Sequence, residues 1–151
     1  MKRFIILFLC VFLLSGCGSK GGKVVTIGQK TYTAKAQWNK QAIELDITLQ
    51  NEDCIFDIKA PQQLAGMRIT CNNEDCKINY LGMEYELDSG IEVYSLASTV
   101  AAILKECDGA LVQGSKVEGS TNGINWTASL NEQGNLQSIT SDEYNMKIEF
   151  E

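Results

Sequence analysis

The chain of 151 residues contains no histidine. That absence removes the usual general base, the commonest protein ligand for transition metals, and both Ser-His-Asp and Cys-His activation of a nucleophile. An enzyme is therefore not expected. No pair of cysteines is spaced C-x-x-C, and no histidine stands near one to lower its pKa, so a thiol redox enzyme is not expected either. The cysteine spacing does not fit a zinc ribbon. No metal site and no cofactor are read from the chain. Basic residues are outnumbered, 13 against 19 acidic, which excludes nucleic acid as a partner, because phosphates call for a basic surface. Proline occurs once, at Pro61. A membrane-spanning run is missing as well: the apolar run at residues 4–14 is well short of the ~20 residues a helical span needs.

That short run has its own meaning. Lys2 and Arg3 precede it, its length is that of a signal-peptide core, and Ser15-Gly16 are the small residues a peptidase cleft requires. Cys17 follows at once. Leu14-Ser15-Gly16-Cys17 fits the pattern Leu or Val, then Ala, Ser or Thr, then Gly or Ala, then Cys, and so resembles the lipobox of bacterial lipoproteins. The resemblance implies lipidation of the Cys17 thiol by a diacylglycerol, cleavage before it, and Cys17 as the mature N-terminus. Two or more acyl chains, at ~0.8 kcal/mol per buried methylene, make a stable anchor. The alternative is a plain secretory signal with an incidental cysteine. The expected organisation is a signal peptide at 1–16, a lipidated cysteine and flexible Gly/Ser/Lys tether at 17–23, and one β-rich domain at 24–151. The expected location is the outer face of the bacterial cytoplasmic membrane. Loss of Lys2 and Arg3 leaves 11 basic residues against 19 acidic, a net charge of −8. Such a domain is held off anionic lipid by like charge.

Beyond the tether a period of two dominates. Residues 24–27 begin an extended run that continues through 31–38, where Tyr32, Ala34, Ala36 and Trp38 share a phase. Ile43, Leu45, Ile47 and Leu49 alternate with Glu44, Asp46 and Thr48, a strand with one wet face. Cys54, Phe56 and Ile58 form the next phase, ended by Pro61, which has no N–H for a ladder. Met67, Ile69 and Cys71, then Cys76, Ile78 and Tyr80, then Met83, Tyr85 and Leu87 extend the meander. Gln50-Asn51-Glu52-Asp53-Cys54 is nearly repeated as Asn72-Asn73-Glu74-Asp75-Cys76. Each is expected to be a four-residue loop, with Leu49 facing Cys54 and Cys71 facing Cys76. The loops gather Glu52, Asp53, Glu74 and Asp75 on one rim. Without the spacing of an EF-hand, solvated turns are expected there in preference to a calcium site.

Leu96, Val100, Ile103, Leu104 and Cys107 fall on one face of a helix. Ser95 or Ser98 can cap its start and Asp108-Gly109 its end. A membrane-surface helix is disfavoured, since the segment carries a single lysine. Strands at 115–119, 124–130, 136–140 and 146–151 follow, the first pair joined through Asn122-Gly123. Trp126 reads as a core or cavity-lining ring more than as a platform for sugar. Once Cys10 is discarded and Cys17 acylated, Cys54, Cys71, Cys76 and Cys107 remain, outside the reducing cytoplasm and with three connectivities. Cys71–Cys76 is the best local pair and leaves Cys54 with Cys107; the rival is Cys54–Cys71.

The fold class expected is α+β, a curved antiparallel sheet, or half-open barrel, wrapped on one amphipathic helix. The order of elements, with Pro61, Leu64 and Gly66 between two strands, resembles small Gram-positive lipoproteins whose fold is like that of the lipoprotein carrier LolA, over residues 24–151. The resemblance implies a concave face that holds acyl chains or hydrophobic partners. This chain is shorter than the carrier, anchored, and has one helix, so shuttling between membranes is not implied. The expected function is binding of an acyl chain or lipidated partner by a membrane-anchored lipoprotein. Candidate lining residues are Ile43, Leu45, Ile47, Phe56, Ile58, Ile69 and Ile78 of the sheet, Leu96, Val100, Ile103 and Leu104 of the helix, and Tyr80, Tyr85 and Trp126 at the mouth. The alternative is an accessory lipoprotein with a filled core that binds another envelope protein.

Overall fold

A computed structural model describes residues 22–38, 40–72, 74–88 and 92–151. The expected signal peptide, the expected lipidation site Cys17 and the expected tether as far as residue 21 lie outside the described residues. In chain order the elements are β1 (Lys23–Val24), β2 (Thr31–Trp38), β3 (Gln41–Gln50), β4 (Asp53–Ala60), β5 (Arg68–Cys71), β6 (Cys76–Tyr80), β7 (Met83–Glu86), α1 (Glu92–Cys107), β8 (Leu111–Val112), β9 (Lys116–Thr121), β10 (Ile124–Leu130), β11 (Leu136–Ser141) and β12 (Met146–Phe150).

Ten strands form one sheet in the order β7-β6-β5-β4-β3-β2-β12-β11-β10-β9. Every neighbouring pair is antiparallel. The sheet is thus two meanders, one on each side of the helix in sequence, sealed where β2 pairs with β12. Its edges, β7 and β9, do not meet, so the barrel stays open. The helix packs against β5 and β6 of one meander and β9 of the other. In a flat sheet β6 and β9 would be about 38 Å apart, eight strand spacings of ~4.8 Å. A helix only about 10–12 Å across touches both, so the sheet must curl around it.

Period-two alternation is what makes this possible. Buried positions fall on the concave side, and the convex side carries cross-strand ion pairs. Asp57 and Arg68 face each other in register and make a two-pronged contact at 2.7 and 2.9 Å. Lys59 reaches Asp46 at 2.9 Å, which holds the Asp46 carboxyl below its ordinary pKa. Hydrogen bonds to this carboxylate come from Lys59 and Thr33. Exposed pairs of this kind are screened by water and contribute little; the sheet is held by its apolar side.

Several local expectations are corrected. Residues 23–24 do not join the main sheet. They pair with β8 in a two-stranded ribbon, with Lys23 opposite Val112 and Val24 opposite Leu111, too short for period-two reading to reveal. The helix begins at Glu92, so Ser95 and Ser98 lie inside it, and the Ser98 hydroxyl donates to the Ser95 carbonyl at 3.2 Å. Its end is as expected: Gly109 takes φ 78°, the left-handed conformation that favours glycine. The first acidic loop is a two-residue turn, because Gln50 still pairs with Asp53 and Asn51 supplies the positive φ of 56°. In the second, Asn72 accepts the backbone N–H groups of Glu74 and Asp75 at 2.7 and 2.8 Å. The expected registers hold: Leu49 opposite Cys54, Cys71 opposite Cys76.

The second meander is fastened to the helix by side chains. The Trp126 indole N–H donates to Thr121 Oγ1 at 2.8 Å, and that hydroxyl donates to Glu106 on α1 at 2.9 Å. Asn122-Gly123, both at positive φ, make the tight β9–β10 turn.

Candidate functional site

In-register partners put their side chains on the same face, so the concave wall can be followed across strands. One row runs Tyr32, Ile47, Phe56, Ile69, Ile78, Tyr85. The next row toward the hairpin turns runs Leu49, Cys54, Cys71, Cys76. In the opposite direction lie Ile139, Ile148, Ala36 and Ile43, then Met146, Trp38 and Gln41.

Between this wall and the first half of α1 lies a cavity of about 230 Å³. Eighteen residues line it, and Gln41 alone is polar. Ile43, Leu45, Ile47, Phe56, Ile58, Ile69 and Ile78 come from the sheet, Leu96 and Val100 from the helix. Ala36, Trp38, Leu64, Met67, Val93, Ala97, Met146 and Ile148 complete it. Sequence reading left these eight out of its lining set. For Ala36 and Trp38 the signal was present in the β2 phase. For Met67 it was present in the phase of Ile69 and Cys71, whereas Leu64 stands in the irregular connection after Pro61, where no periodicity marks a lining residue.

Five candidate lining residues are placed elsewhere. Ile103 and Leu104 are fully buried one turn beyond Val100, where the helix is packed solid. Trp126 is buried in the second meander with its N–H bound to Thr121; it belongs to that core. Tyr80 donates its hydroxyl to the Gln63 carbonyl at 2.9 Å, outside the cavity wall. Tyr85 faces Ile78 but is 54% exposed, because the helix does not reach over the edge strand β7.

The wall excludes polar chemistry. Stripping water from a polar or charged ligand is unfavourable unless hydrogen bonds replace it, and only the Gln41 amide and the Trp38 indole N–H among the lining side chains can make one. Among the described residues no buried side-chain nitrogen or oxygen lacks a partner, so no orphaned group waits for a ligand. No group of three or more Cys, Asp or Glu among the described residues is arranged to hold a metal ion.

The sulfur row closes one end of the wall. Cys71 and Cys76 form a disulfide across β5 and β6, with Cα atoms 4.1 Å apart. Cys54 and Cys107 are both buried thiols, not joined to each other, which corrects the expected second bridge. Cys54 stands opposite Cys71, already committed to Cys76. Burial pushes the Cys54 thiol up to about 12 and the Cys107 thiol to about 11. Disulfide exchange runs through the thiolate, which neither supplies near neutrality. Native protein should therefore resist iodoacetamide at both sites and yield two alkylated thiols on unfolding, with peptide mapping linking Cys71 to Cys76. A mapped Cys54–Cys107 crosslink would refute this. The sign of the pH effect follows. A thiol pKa raised by folding favours the fold fully below the ordinary value of 9.0, and that contribution is lost as pH climbs toward about 12.

No protein-family model matches the chain, and no curated protein matches it. Among solved structures it is similar to a LolA superfamily protein from Nitrosomonas europaea, at 12% identity and a TM-score of 0.35, over 83% of this chain and 66% of that one.

Proposed function

We propose that this chain is a lipid-anchored extracytoplasmic protein that holds a hydrocarbon chain between its sheet and its helix. The observation that supports the reading is the cavity, about 230 Å³ with one polar residue among eighteen. Close-packed interiors leave few voids larger than a water molecule. An apolar cavity of ~150 Å³ stays dry and takes up benzene; in proportion, this one holds roughly nine carbons, the distal part of one acyl chain. No catalytic role is proposed, since the lining offers no nucleophile or titratable group. The test is a titration with cis-parinaric acid, whose fluorescence rises in a dry site, together with mass spectrometry of the purified protein before and after solvent extraction. Saturable binding at one site is expected. A flat titration and no extracted lipid would defeat the ligand reading.

Anchoring through Cys17 has its own test. Cys17→Ala should leave the chain uncleaved or release it from the membrane fraction. Unchanged processing with unchanged membrane retention would defeat it.

One observation favours the accessory reading as a second function. On β7 and the turn before it, Leu81, Met83 and Tyr85 are 78%, 51% and 54% exposed. An open edge strand with exposed apolar side chains is a site for strand addition by another envelope protein.

A further inference from the structure

We infer that the cavity opens at the end of the domain remote from the membrane tether, so that its hydrocarbon occupant enters from the aqueous side and not from the bilayer that anchors the protein. The inference rests on the proposed lipid anchor and ligand, and adds the direction of entry.

Three elements give the same polarity. Along β3, Gln41 is exposed, Ile43 half-buried, Leu45 buried and Ile47 fully buried. Along β2, Trp38 and Ala36 are half-buried, whereas Ala34 and Tyr32 are buried. Along α1, Val93 and Leu96 are half-buried, Val100 is buried, and Ile103, Leu104 and Cys107 are fully buried. The mouth is therefore marked by Trp38, Gln41, Ile43 and Val93. The floor lies toward the sulfur row and the C-terminal turns of the helix.

The tether is fixed at the floor end. The Val25 N–H donates to the Ala110 carbonyl and the Gly109 N–H to the Val25 carbonyl, each at 2.9 Å. The Ile27 N–H donates to Asp108 Oδ1 at 2.8 Å, and the Tyr32 hydroxyl to the Ile27 carbonyl at 2.6 Å. The first described residues are thus bound to the C-terminal end of α1 and to the floor end of β2. From there to the mouth is about 20 Å, whether measured as Tyr32 to Trp38 at ~3.3 Å per residue or as Val93 to Asp108 at ~1.5 Å per residue. Residues 17–22, fully extended, span at most roughly 20 Å. A tether folded back to the mouth would be used up in reaching it, leaving no length to hold the domain upright on the bilayer. The donor that fits is a soluble amphiphile with a single acyl chain.

Trp38 is a built-in reporter of the mouth. The test uses full-length protein recovered from membranes and reconstituted into phosphatidylcholine vesicles. The Trp38 signal is the difference in emission between wild type and Trp38→Phe, which removes the contribution of buried Trp126. Bromine quenches tryptophan on near contact. In vesicles of phosphatidylcholine brominated along its acyl chains, the Trp38 signal should be unchanged. Dibromostearic acid added from solution to unbrominated vesicles should abolish most of it. Quenching by the vesicle lipid would overturn the orientation alone. No quenching by dibromostearic acid, with the vesicle arm silent, would overturn the hydrocarbon reading of the cavity and this inference with it. A chain that does not insert into vesicles overturns it too, through the anchor.

Discussion

Replacing Gly119 by alanine should cost the domain about 3 kcal/mol, seen as a lower midpoint of urea unfolding with an unchanged slope. Gly119 on β9 stands opposite Trp126 on β10, and the indole lies across it. A Cβ at Gly119 would sit 2.3 Å from Trp126 Cζ2 and 2.7 Å from Cε2, far inside contact distance. The ring cannot withdraw without loss. It is buried, and its N–H is the first link of the Trp126–Thr121–Glu106 chain that fastens the second meander to α1. Since the cause is the ring and not the backbone, the effect should depend on the ring. In a background of Trp126→Leu, which itself destabilises by leaving a cavity, the added cost of Gly119→Ala should be small. The two substitutions should therefore be markedly less than additive. A Gly119→Ala protein within about 0.5 kcal/mol of wild type would mean that the indole moves aside freely.

The same pair of residues shows where sequence reading stops. Trp126 announces itself as a buried ring by its phase with Ile124, Ala128 and Leu130, but nothing in the chain says which meander's core it fills. Registers were legible wherever a short turn and a one-sided apolar phase coincide, because slipping by one residue would turn a whole strand inside out. Leu49 opposite Cys54 and Cys71 opposite Cys76 are of this kind. The β1–β8 ribbon was not legible, since two residues give no periodicity. The helix start was missed by a turn although Val93 continues the stripe of Leu96 and Val100; attention to serine caps hid it. The second disulfide failed because it was reached by elimination. Counting four cysteines gives pairs, while the fold puts three in one row and the fourth on the helix.

The hollow itself was beyond the sequence. Val100 and Ile103 belong to one apolar stripe and look alike in the chain, yet one borders a void and the other is packed solid. That difference yields the most direct test of the ligand reading. Val100→Trp should abolish cis-parinaric acid binding, a loss of about a hundredfold or more, equivalent to ~2.7 kcal/mol. Its stability should change by less than about 1 kcal/mol, because the indole enters a void of about 230 Å³ and displaces no packed atoms. Ile103→Trp, three residues along the same helix and fully buried, should instead be destabilised by ~1–3 kcal/mol or more, the cost of overpacking. Its folded fraction should bind the probe as wild type does. Leu96→Trp, nearer the mouth, is a second blocking variant with less packing to disturb and should lose binding in the same way. If Val100→Trp and Ile103→Trp destabilise equally, the space beside the helix is filled. If both blocking variants bind the probe normally, the probe sits elsewhere. Either result would turn the test to the second proposal, strand addition at the exposed edge β7.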